Sequence, residues 1–328
     1  MTRRRAQTWD ELVDGVLSGD TRSMSRLITR VENRDDGWKD AMKRIYPEAG
    51  KARVVGVTGS PGAGKSTLTN AITRTLSEKG MSVGVIAVDP SSPFSGGALL
   101  GDRLRMRDVA TIPGVFIRSM ATRGALGGLC QGARDVARIL DAYGKDIVLI
   151  ETVGVGQDEI EVVKTADTVL VVIVPGQGDG IQALKAGIME IADVYVVNKS
   201  DRPGADEVVG DIQAMLDIAD HGKEYVPPIQ RTSSVSGEGI KELVDTILAH
   251  SREGKSRDRW VGEKVREEVL ALMEGEILDC LVGKWGENGG LEKAVGEILD
   301  RRTDPYTVVD ALLPAIREIV EKTGRDTE

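Results

Sequence analysis

The sequence predicts an α/β fold, a doubly wound and mostly parallel sheet. Through the middle of the chain, short β-branched apolar runs alternate with helical stretches. Continuous apolar runs are typical of strands covered on both faces, and parallel strands need crossover helices between them. A glycine-rich segment, GSPGAGKST, joins the first run to the first helix of this region. Ligands of such sheets bind at the carboxyl ends of the strands, so we expect the functional residues there.

Three zones follow from the pattern: a helical N-terminal extension over residues 1–46, the α/β domain over 47–252, and a charged helical arm over 253–328. In the extension, Thr8 and Glu11 predict a capping box ahead of a first helix. A second helix is expected to start near Asp20. Its apolar face is then Met24, Leu27, Ile28 and Val31.

Within the central zone, six apolar runs predict strands, and a further short strand is expected before the segment TSSVSGEG. The six runs are Val54–Thr58, Val83–Val88, Val115–Arg118, Ile147–Ile150, Val169–Val174 and Val194–Val197. The helical arm carries an apolar stripe and two tryptophans, Trp260 and Trp285, and each tryptophan either fills a local core or anchors an interface. The stripe is Val265, Val269, Leu272, Met273, Ile277 and Leu281.

Composition excludes several classes of protein. The net charge of −9 argues against a general affinity for nucleic acid or anionic membranes. No run approaches the ~20 apolar residues of a membrane helix. Two isolated cysteines, Cys130 and Cys280, predict neither a disulfide framework nor a zinc site. The basic start of the chain meets acids at Asp10 and Glu11, so no targeting segment is predicted and a cytoplasmic location is expected.

The segment after the first strand fits the phosphate-binding pattern G-x-x-x-x-G-K-[ST] of P-loop NTPases. Glycines let consecutive backbone amides curl around a phosphate, and the helix N-terminus adds its positive end. Lys65 is expected to neutralise the β and γ phosphates, and Ser66 to bind Mg²⁺. The predicted nucleotide-binding residues of this loop are Gly59, Pro61, Gly62, Ala63, Gly64, Lys65, Ser66 and Thr67.

Guanine is the predicted base because Asn198, Lys199 and Asp201 form an N-K-x-D pattern at the end of a strand. The Asp201 carboxylate can accept hydrogen bonds from N1–H and the exocyclic amine of guanine, donors that adenine lacks at those positions. Lys199 is expected to lie along the base, and Asn198 to brace the loop. Further on, the backbone amides of Ser233, Ser234 and Val235 are expected to meet the guanine O6 atom.

Three acids are candidates for holding Mg²⁺ together with Ser66. Asp89 and Glu151 each end a predicted strand, and Asp102 lies between them in the segment GALLGDRLRM. Magnesium prefers an octahedral shell of hard oxygens, supplied by a hydroxyl, phosphates and carboxylate-held waters.

Taken together, the segments GSPGAGKST, AVDPSSPFSGGALLGDRLRM, ETVGVGQDE and NKSD closely resemble the MeaB/ArgK group of P-loop GTPases. The resemblance covers nearly the whole chain. It implies a GTP- and GDP-binding chaperone that gates cofactor loading and protects or reactivates an adenosylcobalamin-dependent acyl-CoA mutase, above all methylmalonyl-CoA mutase. It also implies a homodimer formed through the C-terminal arm, and it supports the phosphate, Mg²⁺ and guanine positions named above.

The loop after Glu151 predicts slow intrinsic hydrolysis. Gly154 is expected to bind the γ-phosphate through its amide and to act in catalysis with Lys65 and Glu151. Where Ras-like GTPases place a water-orienting glutamine, this chain has Val155, and Gln157 comes two residues later. We therefore expect a partner to raise the rate. The segment 175–187 is either a second switch facing that partner or a plain connection.

Two other functions fit parts of the pattern. A metallochaperone GTPase for another metalloenzyme would be expected to carry Cys/His clusters, whereas the only histidines are His221 and His250. A P-loop small-molecule kinase should lack the N-K-x-D pattern and carry an acceptor pocket.

Overall fold

The computed structural model describes residues 7–89, 106–121, 128–152, 165–176, 189, 191–219, 225–250, 254–286, 289–311 and 313. Inside helices and strands, the side chains of residues 89, 107, 121, 128–131, 219, 254–260 and 279–286 are not described. The chain forms two compact units, Met1–Ser251 and Arg252–Glu328.

The first unit opens with three helices, α1 (Trp9–Leu17), α2 (Thr21–Glu32) and α3 (Trp38–Ile45). The predicted capping box is present, because the Thr8 hydroxyl accepts from the Glu11 amide and the Glu11 carboxylate accepts from the Thr8 amide. Helix α2 starts directly after Asp20, which is its N-cap, and its four predicted apolar residues are all buried. Helix α3 was not specified from the sequence.

Seven parallel strands form one sheet in the order β3-β2-β4-β1-β5-β6-β7. This confirms the predicted fold class, and each of the seven expected strands is present. Their bounds are β1 (Arg53–Gly59), β2 (Val83–Asp89), β3 (Val115–Ala121), β4 (Ile147–Thr152), β5 (Thr168–Ile173), β6 (Val194–Asn198) and β7 (Ile229–Thr232). The central strands β4 and β5 are buried along their whole length, as continuous apolar runs predict.

Among the described residues, the crossover helices are α4 (Lys65–Glu78), α5 (Arg107–Ala110), α6 (Gly128–Ala142) and α7 (Ala205–Ala219), and α8 (Ile240–Ala249) follows the last strand. Helices α4 and α8 share one buried core with β1, and this core includes Leu68, Leu243, Val55 and Val57. Helix α6 and the three N-terminal helices share a second core with β2 and β4. The N-terminal helices therefore lie in the same compact unit as the sheet.

Strand register places the polar strand ends beside one another. Val57 of β1 pairs with Glu151 of β4, and Asn198 of β6 pairs with Thr232 of β7. Because all the strands run parallel, these residues lie at the same carboxyl edge, where β1 gives way to the phosphate-binding segment.

The second unit contains the long helix α9 (Gly254–Gly286) and α10 (Gly290–Leu299). Four members of the predicted stripe, Val265, Val269, Leu272 and Met273, are exposed in the single chain. The side chains of Leu281, Trp260 and Trp285 lie outside the described residues. In the part of the chain that is described, no helix is long and apolar enough to cross a membrane.

Candidate functional site

The phosphate-binding loop connects β1 to α4 and depends on glycine at two positions. Gly59 has φ of +143°, and a Cβ there would lie 2.1 Å from the Val172 carbonyl oxygen of the neighbouring strand. Gly64 has φ of +86°, and a Cβ there would lie 2.7 Å from Nδ2 of Asn198. Only glycine combines this backbone conformation with such close approach. Local sequence thus sets a loop of the shape that cradles a phosphate.

Lys65 begins α4 and is 5% exposed. Its Nζ donates to the Gly59 carbonyl at 2.8 Å and to the Ser60 carbonyl at 3.0 Å. The loop's own backbone thus holds a buried ammonium beside the N-terminus of α4. A positive charge at this place suits the β and γ phosphates of a nucleotide.

Ser66 and Glu151 meet at the same edge. The Ser66 hydroxyl donates to Oε1 of Glu151 at 2.5 Å, and Glu151 is 4% exposed. A hydroxyl and a carboxylate in contact are hard oxygen donors, the type that Mg²⁺ prefers when phosphates complete its shell. The residues present therefore fit the expected magnesium ion. The described residues contain no cluster of three or more His, Cys, Asp or Glu placed to hold a metal by protein ligands alone.

The structure describes the other two predicted metal-binding acids, Asp89 and Asp102, only in part or not at all. Asp89 ends β2 next to β4, with Val88 paired to Thr152, and its side chain is not described. Asp102 lies outside the described residues, as do Gly154 and the neighbouring Val155 and Gln157. Of the segment 175–187, the structure describes only residues 175 and 176.

Asn198 connects three segments of the site and is 1% exposed. Its Nδ2 donates to the Ala63 carbonyl of the phosphate-binding loop at 2.9 Å. Its Oδ1 accepts from the Thr232 hydroxyl at 3.2 Å and from the Ser234 hydroxyl at 2.7 Å. The residue that the sequence assigned to bracing a loop therefore braces two loops at once.

Lys199 adopts the left-handed conformation with φ of +56°, and its Nζ donates to the Gly62 carbonyl at 2.7 Å. Asp201 lies in the turn that follows and is exposed. The phosphate-binding loop and the N-K-x-D segment are thus in direct contact.

The loop after β7 makes hydrogen bonds within itself and to the side chain of Asn198. The Ser233 amide donates to the Glu238 carbonyl at 3.0 Å, whereas the Ser234 amide donates to Asn198 Oδ1 at 3.2 Å. Val235 is 92% exposed at the tip. Contact of this loop with guanine O6 stays a prediction.

Sequence reasoning missed one buried polar pair at the site. The Thr152 hydroxyl lies 3.3 Å from the Thr58 hydroxyl and 3.4 Å from the Val57 carbonyl, and both threonines are fully buried. They stand directly after Glu151 and directly before Gly59. The available signal was a hydroxyl residue at the end of each of two apolar strands.

Comparison with known proteins agrees with this geometry. The family model described as methylmalonyl Co-A mutase-associated GTPase MeaB matches residues 24–287. A relative in Pyrococcus abyssi that carries a GTPase name is 45% identical over 314 residues, 94% of this chain and 96% of the relative. The mitochondrial methylmalonic aciduria type A homolog of Caenorhabditis briggsae is 31% identical over 308 residues, 81% of this chain and 72% of that protein.

A crystal structure described as an LAO/AO transport system kinase is similar along the whole fold. It has a TM-score of 0.65 and 26% identity, covering 98% of this chain and 100% of that one. The family match begins within α2 and extends through α9, so it includes the loop, the strand ends and the N-K-x-D segment together. The chain belongs to the MeaB family of P-loop GTPases.

Proposed function

We propose that this GTPase is a chaperone of an adenosylcobalamin-dependent acyl-CoA mutase, with methylmalonyl-CoA mutase as the first candidate. It would gate cofactor loading and protect or reactivate the mutase. The observation that carries the proposal is the family match over residues 24–287, whose description names methylmalonyl Co-A mutase. The name of the Caenorhabditis briggsae relative points to the same metabolism.

For GTP hydrolysis, we assign binding and charge neutralisation to the phosphate-binding loop. Lys65 holds a buried positive charge at the N-terminus of α4, where the transferred phosphoryl group carries negative charge. Ser66, Glu151, Asp89 and Asp102 would hold Mg²⁺, which when bound neutralises phosphate charge. The 2.5 Å contact between Ser66 and Glu151 supports the first two of these assignments.

Guanine selection is assigned to Asn198, Lys199 and Asp201, assisted by the loop at Ser233, Ser234 and Val235. The hydrogen bond from Asn198 to the Ala63 carbonyl supports this assignment, because it joins the N-K-x-D segment to the phosphate-binding loop. The exposed Asp201 carboxylate is the group that distinguishes guanine from adenine.

Slow intrinsic turnover follows from Val155, whose side chain cannot orient a water molecule by hydrogen bonding. We propose that the mutase supplies or orders the missing alignment, and that Gly154 senses the γ-phosphate. GTP binding and hydrolysis would then switch the protein between mutase-bound states.

A rate titration tests the proposal. The GTPase rate of the full chain is measured with purified methylmalonyl-CoA mutase over a range of concentrations, with heat-denatured mutase as the control. A rate that saturates with native mutase supports a chaperone function. An unchanged rate at every mutase concentration, together with no complex in sedimentation, contradicts it. Parallel competition by GTP and ATP tests the guanine assignment separately.

We also propose a cytoplasmic homodimer that uses the C-terminal arm. The exposed apolar stripe of α9, including Val269 and Met273, supports an interface on that helix. Isolated thiols such as Cys130 and Cys280 are usual in a reducing compartment. Sedimentation equilibrium of the full chain and of the Val269→Asp variant tests the dimer, which should weaken in the variant.

A further inference from the structure

The side-chain oxygen of Asn198 accepts three hydrogen bonds. The donors are the Thr232 hydroxyl at 3.2 Å, the Ser234 amide at 3.2 Å and the Ser234 hydroxyl at 2.7 Å. An amide oxygen has two lone pairs, so three donors share two acceptor sites. One of the three bonds can therefore be given up at little cost.

The distances indicate which of the two Ser234 bonds is stronger. The Ser234 hydroxyl makes the shortest contact of the three, whereas its amide is 0.5 Å further away (3.2 against 2.7 Å). Thr232 and Asn198 are buried, with Thr232 fully enclosed. The Ser234 amide is therefore the donor that a ligand outside the loop can take.

The Asn198 side chain also contacts the phosphate-binding loop. Its Nδ2 donates to the Ala63 carbonyl at 2.9 Å, one residue before Gly64 and two before Lys65. The path from Ser234 through Asn198 to Ala63 thus joins the loop after β7 to the loop after β1.

We infer that Ser234 is a positioning residue which keeps the guanine-reading loop attached to Asn198 while its amide is transferred to the guanine O6 atom. The hydroxyl holds the loop in both states, and only the weaker amide bond changes partner. This inference rests on the proposed guanine binding. It adds a role for the Ser234 side chain, which a loop that reads guanine only through backbone amides would not need.

The inference predicts a specific kinetic effect. Without the Ser234 hydroxyl, the loop after β7 loses its bond to Asn198 through Ser234 once the Ser234 amide binds guanine. The bound nucleotide should therefore dissociate faster. Selection against bases that lack the exocyclic amine is assigned to Asp201, so it should not change. The dissociation rate and the base selectivity are thereby separated.

The experiment compares Ser234→Ala with Ser234→Thr, which keeps a hydroxyl, and with Ser236→Ala. Ser236 is a matched control, because it lies in the same loop and its hydroxyl contacts the Ser233 carbonyl at 3.4 Å rather than Asn198. Dissociation of fluorescent GDP and IDP from the full chain is followed by chasing with unlabelled nucleotide. We expect Ser234→Ala to raise both dissociation rates about tenfold, with their ratio unchanged. The other two variants should remain close to wild type.

Equal GDP dissociation from wild type and Ser234→Ala would overturn the inference, and so would an equal increase in Ser236→Ala. Should Ser234→Ala fail to fold, Ser234→Cys is measured instead, because a thiol is a weaker donor than a hydroxyl, and an unchanged rate of GDP release in that variant would overturn the inference. Wild-type protein that binds ADP as well as GDP would instead refute the proposed guanine site, a result distinguishable from failure of the Ser234 role.

Discussion

The Ser66 hydroxyl donates a 2.5 Å hydrogen bond to the Glu151 carboxylate, joining the first turn of α4 to the end of β4. Glutamate is one methylene longer than the aspartate usual at this strand end, and here its carboxylate reaches the hydroxyl directly. Groups that orient a metal ligand typically contribute about 10- to 100-fold to metal affinity or activity.

The first prediction concerns this contact. Glu151→Gln removes the negative charge with little change in shape, so it should lower kcat for GTP and raise the Mg²⁺ concentration for half-maximal rate, each about 10- to 100-fold. Steady-state rates over a Mg²⁺ titration measure both effects. Glu78→Gln, at the exposed far end of α4, is the control and should match wild type. A normal Mg²⁺ dependence in Glu151→Gln would remove Glu151 from the metal site.

A second prediction concerns base selection by the exposed carboxylate of Asp201. Asp201→Asn replaces a carboxylate, whose two oxygens both accept, by an amide with one acceptor and one donor group. This amide complements xanthine, which has a carbonyl in place of the exocyclic amine of guanine. GTP affinity should fall by about 10- to 100-fold, and xanthosine triphosphate should become the better ligand. Competition binding with GTP, XTP and ATP measures the shift. If the variant keeps the wild-type order of affinities, another residue selects the base.

A third prediction concerns the connection between α3 and β1. The Asp141 carboxylate accepts from the backbone amides of Gly50 at 2.5 Å, Lys51 at 3.2 Å and Ala52 at 2.9 Å. Asp141→Ala should lower the free energy of unfolding of the first unit by about 2 kcal/mol, because amides bonded to a charged acceptor lose their partner. Urea unfolding followed by far-UV circular dichroism measures the loss.

Asp245→Ala is the matched control for that measurement. Asp245 makes one exposed ion pair with Lys79 at 2.8 Å, and such pairs contribute about 0–1 kcal/mol. Equal destabilisation by the two substitutions would mean that Asp141 has no special structural role.

A fourth prediction uses pH. Hydrogen bonds from the Ser23 hydroxyl, then from the Ser23 and Arg22 amides, lower the pKa of Asp20, the N-cap of α2, below 3.8. Since the folded pKa lies below the unfolded value, this stabilisation is complete above the unfolded pKa and is lost as pH falls through the folded one. The stability difference between wild type and Asp20→Ala should shrink as pH is lowered from 6 to 3.

Thermal unfolding at each pH measures that difference. Asp20→Asn keeps a capping oxygen without an ionisable group, so its own difference from Asp20→Ala should stay constant with pH. A constant difference between wild type and Asp20→Ala would contradict the role of the charged cap.

Local patterns were sufficient to predict the elements of the fold. Helix α1 begins where the Thr8–Glu11 capping box places it, and β1 and β4 extend only one or two residues beyond the runs Val54–Thr58 and Ile147–Ile150. These features depend on near neighbours in the chain and on side-chain periodicity, which the sequence contains directly. Spacing did not reveal α3, which is short and follows a left-handed Gly37.

Contiguous patterns were sufficient to predict the fold class and to locate the glycine-rich loop and the N-K-x-D segment, because each pattern lies within near neighbours of the chain. The contact of Ser66 with Glu151, 85 positions away, and the contacts of Asn198 with Ala63 and Ser234 could not be predicted from the sequence, because they join distant segments. Strand order and register bring these residues to one edge, and both arise from how whole faces of helices and strands pack rather than from any one segment.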